Sequence, residues 1–203
     1  MWFSLFIGML ASYLLGNLNG AVCMSALKHD DVRSHGSGNA GLTNFIRNYG
    51  VGQAAYVILI DAGKAIVSCL LTGLLLEPFG YYRMGTALGG FAVMLGHNFP
   101  ALLGFKGGKG ILSGLFIALT VDWRIALIIL GVFAVAYLLT QYVSLASVLA
   151  ALAFSVSFAV LHFGDWVVMS CGIVMGAMAV YMHRSNIQRL IRGEESKTNL
   201  FKK

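Results

Sequence analysis

Long apolar stretches separated by short polar segments dominate this chain. Six of them are suited to crossing a bilayer as helices, because about 20 apolar residues span the hydrocarbon core. They cover residues 2–27, 54–76, 84–103, 125–140, 143–162 and 166–182. No basic residue precedes the first stretch, so we expect a retained helix and not a signal peptide. The pattern predicts an all-α polytopic membrane protein.

A seventh apolar stretch, residues 111–121, is shorter. As a helix it would reach only about 16 Å, roughly half of the hydrocarbon core. It is either a short tilted helix in a locally thinned bilayer or a re-entrant segment. Counting it gives a bundle of about seven helices, whereas merging it with its neighbours gives five or six.

Composition supports a membrane location. Of the 203 residues, 58% are hydrophobic and only 11% are charged, compared with about 25% charged residues in soluble domains. A soluble chain of this length could not cover so much apolar surface in one core, whereas a lipid-facing one need not. We expect residues 1–203 to form a single integral membrane domain. Its three cysteines lie inside apolar stretches and have neither metal-binding nor disulfide spacing.

The distribution of basic residues predicts the topology. If the loop 28–53, the loop 104–110 and the tail 183–203 share one side, that side holds all but three of the 14 basic residues. Basic residues prefer cytoplasmic loops. This arrangement needs an odd number of crossings, which favours seven, with the N-terminus outside and the C-terminus cytoplasmic.

One pair of opposite charges lies within a predicted span. Asp61 and Lys64 are three residues apart, so a helix places them on one face. Charges at this depth normally pair and face the interior of the bundle. The pair either locks helices together or takes part in catalysis.

The loop after the first span is rich in glycine and in hydrogen-bond donors. Gly36, Gly38 and Gly41 satisfy G-x-G-x-x-G, but the dinucleotide fingerprint needs a preceding strand, and here an apolar span precedes. Glycines let backbone N–H groups approach an anion, and a following helix offers its positive end. The side-chain donors are Ser37, Asn39, Thr43, Asn44 and Arg47. The segment indicates phosphate binding; the alternative is a capped loop between helices.

A second glycine-rich loop precedes the short stretch 111–121. It reads Gly104-Phe105-Lys106-Gly107-Gly108-Lys109-Gly110 and follows Gly96-His97. Two cations and free backbone amides at a helix N-terminus suit a phosphate group. The alternative is that the lysines only mark a cytoplasmic loop.

A third polar segment begins at His183, directly after the last span. His183 and Asn186 share a helix face, whereas Arg184 and Arg189 lie elsewhere around it. A basic amphipathic end usually anchors a protein to anionic lipid. We single out His183 and Asn186 as the candidates for a functional role.

The three segments together resemble the bacterial acyl-phosphate-dependent glycerol-3-phosphate acyltransferase family (PlsY-type). The family's first motif resembles Gly36-Ser37-Gly38-Asn39 with Gly41, Thr43, Asn44 and Arg47. Its second is similar to Gly96-His97, Phe99-Pro100 and residues 105–110, and its third to His183-Arg184, Asn186-Ile187, Arg189-Leu190, Gly193, Glu195 and Lys197. Asp61 with Lys64, and Tyr142-Val143-Ser144-Leu145, are weaker similarities. Asn17-Leu18-Asn19 departs from the family's more usual Ser-Ile-Pro.

The resemblance implies transfer of a fatty acyl group from acyl phosphate to the 1-hydroxyl of glycerol 3-phosphate. The products are lysophosphatidic acid and phosphate, in the first acylation step of phospholipid biosynthesis. It also implies seven helices in the bacterial inner membrane, with the active site at the cytoplasmic face. The partners are then the two substrates and the lipid bilayer, with no nucleic acid, while protein partners stay unidentified.

The resemblance also assigns roles to residues. The catalytic group is Ser37, Arg47, His183 and Asn186. The substrate-binding group is Gly36, Gly38, Asn39, Thr43, Asn44, His97, Lys106, Gly107, Gly108, Lys109, Gly110 and Ser144. No cofactor and no metal are expected, because zinc-binding and oxygen-rich metal spacings are missing from the sequence.

Two alternatives remain at this stage: a transporter or channel for a phosphorylated solute, and an acyltransferase that uses acyl-CoA. The base that takes the proton of the acceptor hydroxyl is also open. His183, His97 or a phosphate oxygen of the substrate would serve. The sequence favours the substrate, because no carboxylate is evident that would hold the tautomer of either histidine.

Overall fold

The structure is a computed structural model, described here for residues 1–197. Every regular element in that range is helical, and it contains no strand. The α-helices are α1 (Trp2–Gly16), α2 (Gly20–Ala26), α3 (Leu42–Tyr49), α4 (Ala54–Leu76), α5 (Tyr82–Asn98), α6 (Ile111–Val121), α7 (Trp123–Thr140), α8 (Val143–Leu161), α9 (Trp166–Met182) and α10 (Arg184–Ile191). Single 3₁₀ turns cover Val32–Ser34, Glu77–Phe79 and Ala101–Leu103.

The number of spans agrees with the predicted membrane fold. Within residues 1–197, four helices are long and apolar enough to cross a bilayer, and up to six spans result if each of two bent helix pairs counts as one. Helix α6, with 11 residues, remains a shorter apolar helix. Six spans and this helix correspond to the seven apolar stretches of the sequence. The orientation of the termini stays a prediction.

The first apolar stretch is not the single helix that we expected over residues 2–27. Helices α1 and α2 are bent by 46°. Between them, Asn19 has an extended backbone and its side chain accepts a hydrogen bond from the Val22 N–H, which makes it the N-cap of α2. The polar residues that depart from the family pattern therefore start a new helix inside the apolar stretch.

The chain divides into two compact units, Met1–Val121 and Asp122–Lys203. In the first unit, α4 packs against α1, α2, α5 and α6. Small residues allow this close packing. A Cβ at Gly85 would lie 2.5 Å from the carbonyl oxygen of Thr72, and a Cβ at Gly96 would overlap the carbonyl of Tyr13. Helix α4 thereby holds its polar face near the ends of α1 and α5.

The second unit is built around α8, which packs against α7, α9 and α10. Aspartates cap two of its helices: Asp122 accepts from the Arg124 N–H at the start of α7, and Asp165 accepts from the Val168 N–H at the start of α9. Helix α10 follows α9 after a bend of 55°. The first turn of α8 and the polar segment at His183 therefore belong to one compact body.

Candidate functional site

Asn44 organises the first glycine loop. Its buried side chain accepts from the Ser37 N–H at 3.0 Å. Its amide group donates to the carbonyl oxygens of Val32, His35 and Asn39 at 2.9, 3.1 and 3.0 Å. One side chain thus satisfies backbone groups along the whole loop, as buried polar groups require. Asn44 holds the loop in shape, and its predicted contact with substrate stays a prediction.

Glycine is needed where this loop turns. Gly36 and Gly38 have φ angles of +56° and +69°, in the left-handed region. A Cβ at Gly36 would also lie 2.5 Å from Asn44 Oδ1. Ser37 stands exposed between the two glycines, and Arg47 is exposed in the last turn of α3. Both predicted catalytic residues of the first unit are therefore accessible.

The second glycine loop lies against the end of α5. The Gly108 N–H donates to the carbonyl oxygen of His97 at 3.1 Å. A Cβ at Gly107 would overlap that carbonyl, and a Cβ at Gly108 would overlap the His97 ring. Helix α6 begins immediately after Gly110, so this loop leads into a helix N-terminus, as the sequence predicted. Lys106 is exposed on this loop and Lys109, the second predicted cation, is half-buried.

Arg33 joins the two glycine loops. Its Nη1 donates to the carbonyl oxygens of Leu103 and Lys106 at 3.1 and 3.4 Å. Its Nε and Nη2 donate to the carboxylate of Asp31 at 2.8 to 3.0 Å. The hydrogen bond from Arg33 lowers the pKa of Asp31 and outweighs the opposing effect of burial. This role is not apparent from the sequence, because the partners lie 70 or more residues apart.

Asp61 and Lys64 form the ion pair that the sequence predicted. Lys64 Nζ lies 2.8 Å from Asp61 Oδ1, and both side chains are 3% exposed. The pair is directed at His97: Lys64 Nζ is 2.8 Å from His97 Nδ1, and Asp61 Oδ1 is 3.8 Å from it. The sequence showed no carboxylate that would hold the tautomer of either histidine, and the structure places Asp61 near His97. The two residues are distant in the sequence and meet through the packing of α4 and α5.

The third polar segment belongs to the second unit. His183, between α9 and α10, is buried, and its Nδ1 lies 2.7 Å from the carbonyl oxygen of Ala179. Asn186 is also buried, whereas Arg184 is exposed. The two polar candidates therefore face the interior of the unit, whereas Arg184 does not.

Glu195, which the sequence analysis did not place among the site residues, connects two side chains of this segment. Glu195 accepts from Asn186 Nδ2 at 2.8 Å and from Arg189 Nε at 2.6 Å. Burial alone would raise the pKa of Glu195, but the hydrogen bonds from Asn186 and Arg189 lower it. Ser144, in the first turn of α8, is buried. Glu195 thereby brings Asn186 together with Arg189.

A model of the glycerol-3-phosphate acyltransferase family matches residues 6–193. The chain belongs to this family. A glycerol-3-phosphate acyltransferase of Prochlorococcus marinus (strain MIT 9215) is 35% identical over 192 residues, which cover 93% of this chain and 95% of that protein. One from Synechococcus sp. (strain CC9902) is 39% identical over 184 residues, 90% of each chain.

Two crystal structures of PlsY (YgiH), an integral membrane glycerol 3-phosphate acyltransferase, are similar to this member of the family. The glycerol 3-phosphate form has a TM-score of 0.88 and 33% identity, covering 98% of this chain and 100% of that one. The lysophosphatidic acid form has a TM-score of 0.84 and 34% identity, covering 97% and 96%. The PlsY-type resemblance and the all-helical membrane fold are both confirmed.

Proposed function

We propose that this acyltransferase moves a fatty acyl group from acyl phosphate to the 1-hydroxyl of glycerol 3-phosphate. The observation that carries the proposal is the pair of glycine loops in the first unit, joined by Arg33. Both substrates carry a phosphate group, and two loops rich in backbone donors and cations suit two phosphates. The glycerol 3-phosphate and lysophosphatidic acid forms of PlsY support the choice of acceptor and product.

The reaction needs no covalent intermediate. The 1-hydroxyl oxygen attacks the acyl carbonyl carbon, the new ester bond forms, and the bond from that carbon to the phosphate oxygen breaks. Inorganic phosphate leaves with the bonding electrons, and the hydroxyl proton passes to a base. Because acyl phosphate is a mixed anhydride with a good leaving group, orientation and electrostatic stabilisation can supply most of the acceleration.

Two bases fit this scheme. One is a phosphate oxygen of the substrate, whose second pKa is near 6 by analogy with phosphoserine. The other is His183, whose Nδ1 faces the Ala179 carbonyl. A carbonyl oxygen only accepts, so Nδ1 donates and Nε2 of the neutral ring carries the lone pair. We retain the substrate as the base and assign the orientation of the acceptor to His183 and Asn186.

The remaining roles follow from position. Ser37 and Arg47, both exposed beside the first loop, contact a substrate phosphate or the attacked carbonyl. Residues 104–110 bind the phosphate of glycerol 3-phosphate. We place the site at the cytoplasmic face of the bacterial inner membrane, because the polar segments hold most of the basic residues. Labelling of a cysteine at Asn48 from outside sealed cells would contradict that orientation.

Product analysis tests the proposed reaction. Purified protein in detergent receives glycerol 3-phosphate with either acyl phosphate or acyl-CoA. We expect lysophosphatidic acid and an equal amount of inorganic phosphate from acyl phosphate alone. Formation of lysophosphatidic acid from acyl-CoA, and not from acyl phosphate, would identify acyl-CoA as the donor. Absence of product with both donors, together with flux of glycerol 3-phosphate into proteoliposomes, would favour a transporter.

A further inference from the structure

Four groups surround the ammonium of Lys64 inside the first unit. They are Asp61 Oδ1 at 2.8 Å, the carbonyl oxygens of Leu18 at 2.5 Å and Gly16 at 3.3 Å, and His97 Nδ1 at 2.8 Å. Lys64 and His97 are both buried. Asp61 is itself held by the Gly20 N–H, which donates to Oδ1 at 3.2 Å. All of these groups belong to the first unit.

Counting donors fixes the protonation of His97. Lys64 forms an ion pair with Asp61, and its charged ammonium has three N–H groups and no lone pair. The three nearest groups, the Leu18 carbonyl oxygen, Asp61 Oδ1 and His97 Nδ1, each receive one hydrogen, and the Gly16 carbonyl oxygen at 3.3 Å shares one of them. His97 Nδ1 must therefore accept. A neutral imidazole that accepts at Nδ1 carries its proton on Nε2. His97 therefore presents a donor on its far side.

That far side faces the place where the two glycine loops meet. A Cβ at Gly108 would overlap His97 Nε2 and would lie 2.8 Å from the carbonyl oxygen of Ala40. Ala40 follows Asn39 in the first loop, and its carbonyl is also fixed by the side-chain amide of Asn19 at 2.9 Å. The Nε2–H of His97 thus points to a junction of two loops that both contain acceptors.

We propose that Lys64 is a positioning residue that fixes His97 as an Nε2–H donor at the junction of the two glycine loops. The ion pair with Asp61 keeps Lys64 charged, and Lys64 in turn keeps a proton off Nδ1. His97 consequently donates a hydrogen bond and does not take the proton of the acceptor hydroxyl. Its effect on glycerol 3-phosphate binding rests on the proposed role of residues 104–110, whereas its tautomer does not.

Nitrogen NMR tests the tautomer directly. The wild-type protein, labelled with ¹⁵N at its five histidines, is measured in detergent, and His97→Asn assigns the His97 signals. We expect a protonated Nε2 and an unprotonated Nδ1 for His97. A proton on Nδ1, in either a neutral or a doubly protonated ring, would overturn the assignment. The measurement needs neither substrate nor activity, so it stands even if the proposed reaction fails.

A double-mutant cycle tests the consequence for the reaction. Asp61→Asn combined with Lys64→Met removes both charges and leaves neither unpaired in the interior. We expect this variant to raise the KM for glycerol 3-phosphate about tenfold, as loss of a hydrogen bond to a charged group would, with a smaller change in kcat. In a His97→Asn background the same two substitutions should raise this KM only slightly further, because Lys64 acts through His97.

Additive effects in the two backgrounds would show that the ion pair only supports the helices. Ser68→Ala is the matched control, since Ser68 is buried one turn further along α4 and its hydroxyl makes no hydrogen bond within the described residues. It should leave the KM unchanged. Lys64→Arg, made in the protein that retains Asp61, keeps a cation and its hydrogen-bond donors. It should therefore raise the KM for glycerol 3-phosphate less than the double variant does. If the double variant does not fold, the wild-type NMR result still decides the assignment.

Discussion

Arg33 Nη1 donates a hydrogen bond to the carbonyl oxygen of Leu103 at 3.1 Å. The contact connects the first glycine loop to the backbone that enters the second, and Asp31 holds the guanidinium from the other side. The planar guanidinium directs separate N–H donors to the carboxylate of Asp31 and to the two carbonyl oxygens. Arg33 is therefore the structural connection between the two proposed phosphate sites.

Arg33→Ala should lower kcat/KM by about tenfold, because loss of charged hydrogen bonds releases one loop from the other. Arg33→Lys should recover little, since a single ammonium cannot reach the same set of acceptors. Steady-state kinetics with glycerol 3-phosphate and acyl phosphate measure both. The matched control is Arg124→Ala in the second unit, an arginine that also binds an aspartate, Asp122. If Arg33→Ala and Arg124→Ala lower kcat/KM equally, Arg33 has no specific role in connecting the two loops.

Ser37→Ala and Arg47→Ala should each reduce activity by at least 100-fold while the proteins still insert and fold, as removal of a transition-state contact does. The Ser37 backbone N–H keeps its bond to Asn44, so the loop should survive the loss of the hydroxyl. Arg47→Lys should rescue poorly, because a point charge cannot replace a bidentate fork. Ser34→Ala, an exposed serine in the preceding turn, is the control. Near-normal rates in Ser37→Ala or Arg47→Ala would take that residue out of the site.

Gly108→Ala should raise the KM for glycerol 3-phosphate more than it lowers kcat. The added methyl group would overlap the His97 ring and push the loop away from α5. Loss of binding that is equal in the ground and transition states has this kinetic signature. Gly131→Ala, at a helical glycine with no neighbour within 4 Å of the added Cβ, should have no such effect. An unchanged KM in Gly108→Ala would reassign the loop to the donor or to a structural role.

Glu195 should make part of the stability depend on pH. Its pKa in the folded protein is lowered from 4.5, since the hydrogen bonds from Asn186 and Arg189 outweigh burial. Its contribution is therefore fully present above 4.5 and is lost as the pH falls through the lower folded-state value. Glu195→Gln should reduce the melting temperature at pH 7 and differ less from the wild type near pH 3. Glu194→Gln, at an exposed neighbour, is the control. If the difference in melting temperature between Glu195→Gln and the wild type does not vary with pH, Glu195 does not link stability to pH.

The pattern of apolar stretches predicted most of the long helices to within a few residues, because apolar length alone identifies a span. The predicted stretches 54–76 and 166–182 coincide with α4 and α9. It failed at Asn19, since a polar residue inside an apolar stretch can face the interior or start a new helix, and only packing decides. Here the Asn19 side chain caps α2 and binds the carbonyl of Ala40. Local patterns do not contain that second contact.

The candidate site was predictable where neighbours in sequence are neighbours in space. The pair of Asp61 and Lys64 follows from helix geometry. The third member, His97, lies 33 residues beyond Lys64 and belongs to another helix. Glu195 was visible as an acid near Asn186, but nothing in its spacing indicated that it would fold back onto that side chain. Side-chain pairing across elements is set by tertiary packing, which a single sequence does not specify.

The last prediction is direct transfer without an acyl-enzyme. Cysteine is the most reactive candidate nucleophile, yet Cys69 and Cys171 are buried in α4 and α9 and Cys23 is half-buried in α2. None lies on a glycine loop or beside His183. Ser37 is exposed, and the nearest histidine in the sequence, His35, has its Nε2 at 2.9 Å from the carboxylate of Asp30.

Two measurements check direct transfer. Purified protein mixed with radiolabelled acyl phosphate, without acceptor, should yield no labelled protein after denaturation. Activity should also survive EDTA, because residues 1–197 contain no group of three histidine, cysteine, aspartate or glutamate side chains placed to hold a metal ion. Ser37→Ala distinguishes the two possible roles of the serine. If Ser37 were a nucleophile, a stable acylated peptide containing it would be recovered from the wild type and lost in this variant. If it only orients the donor, as we expect, neither protein yields the peptide and the variant is merely slow.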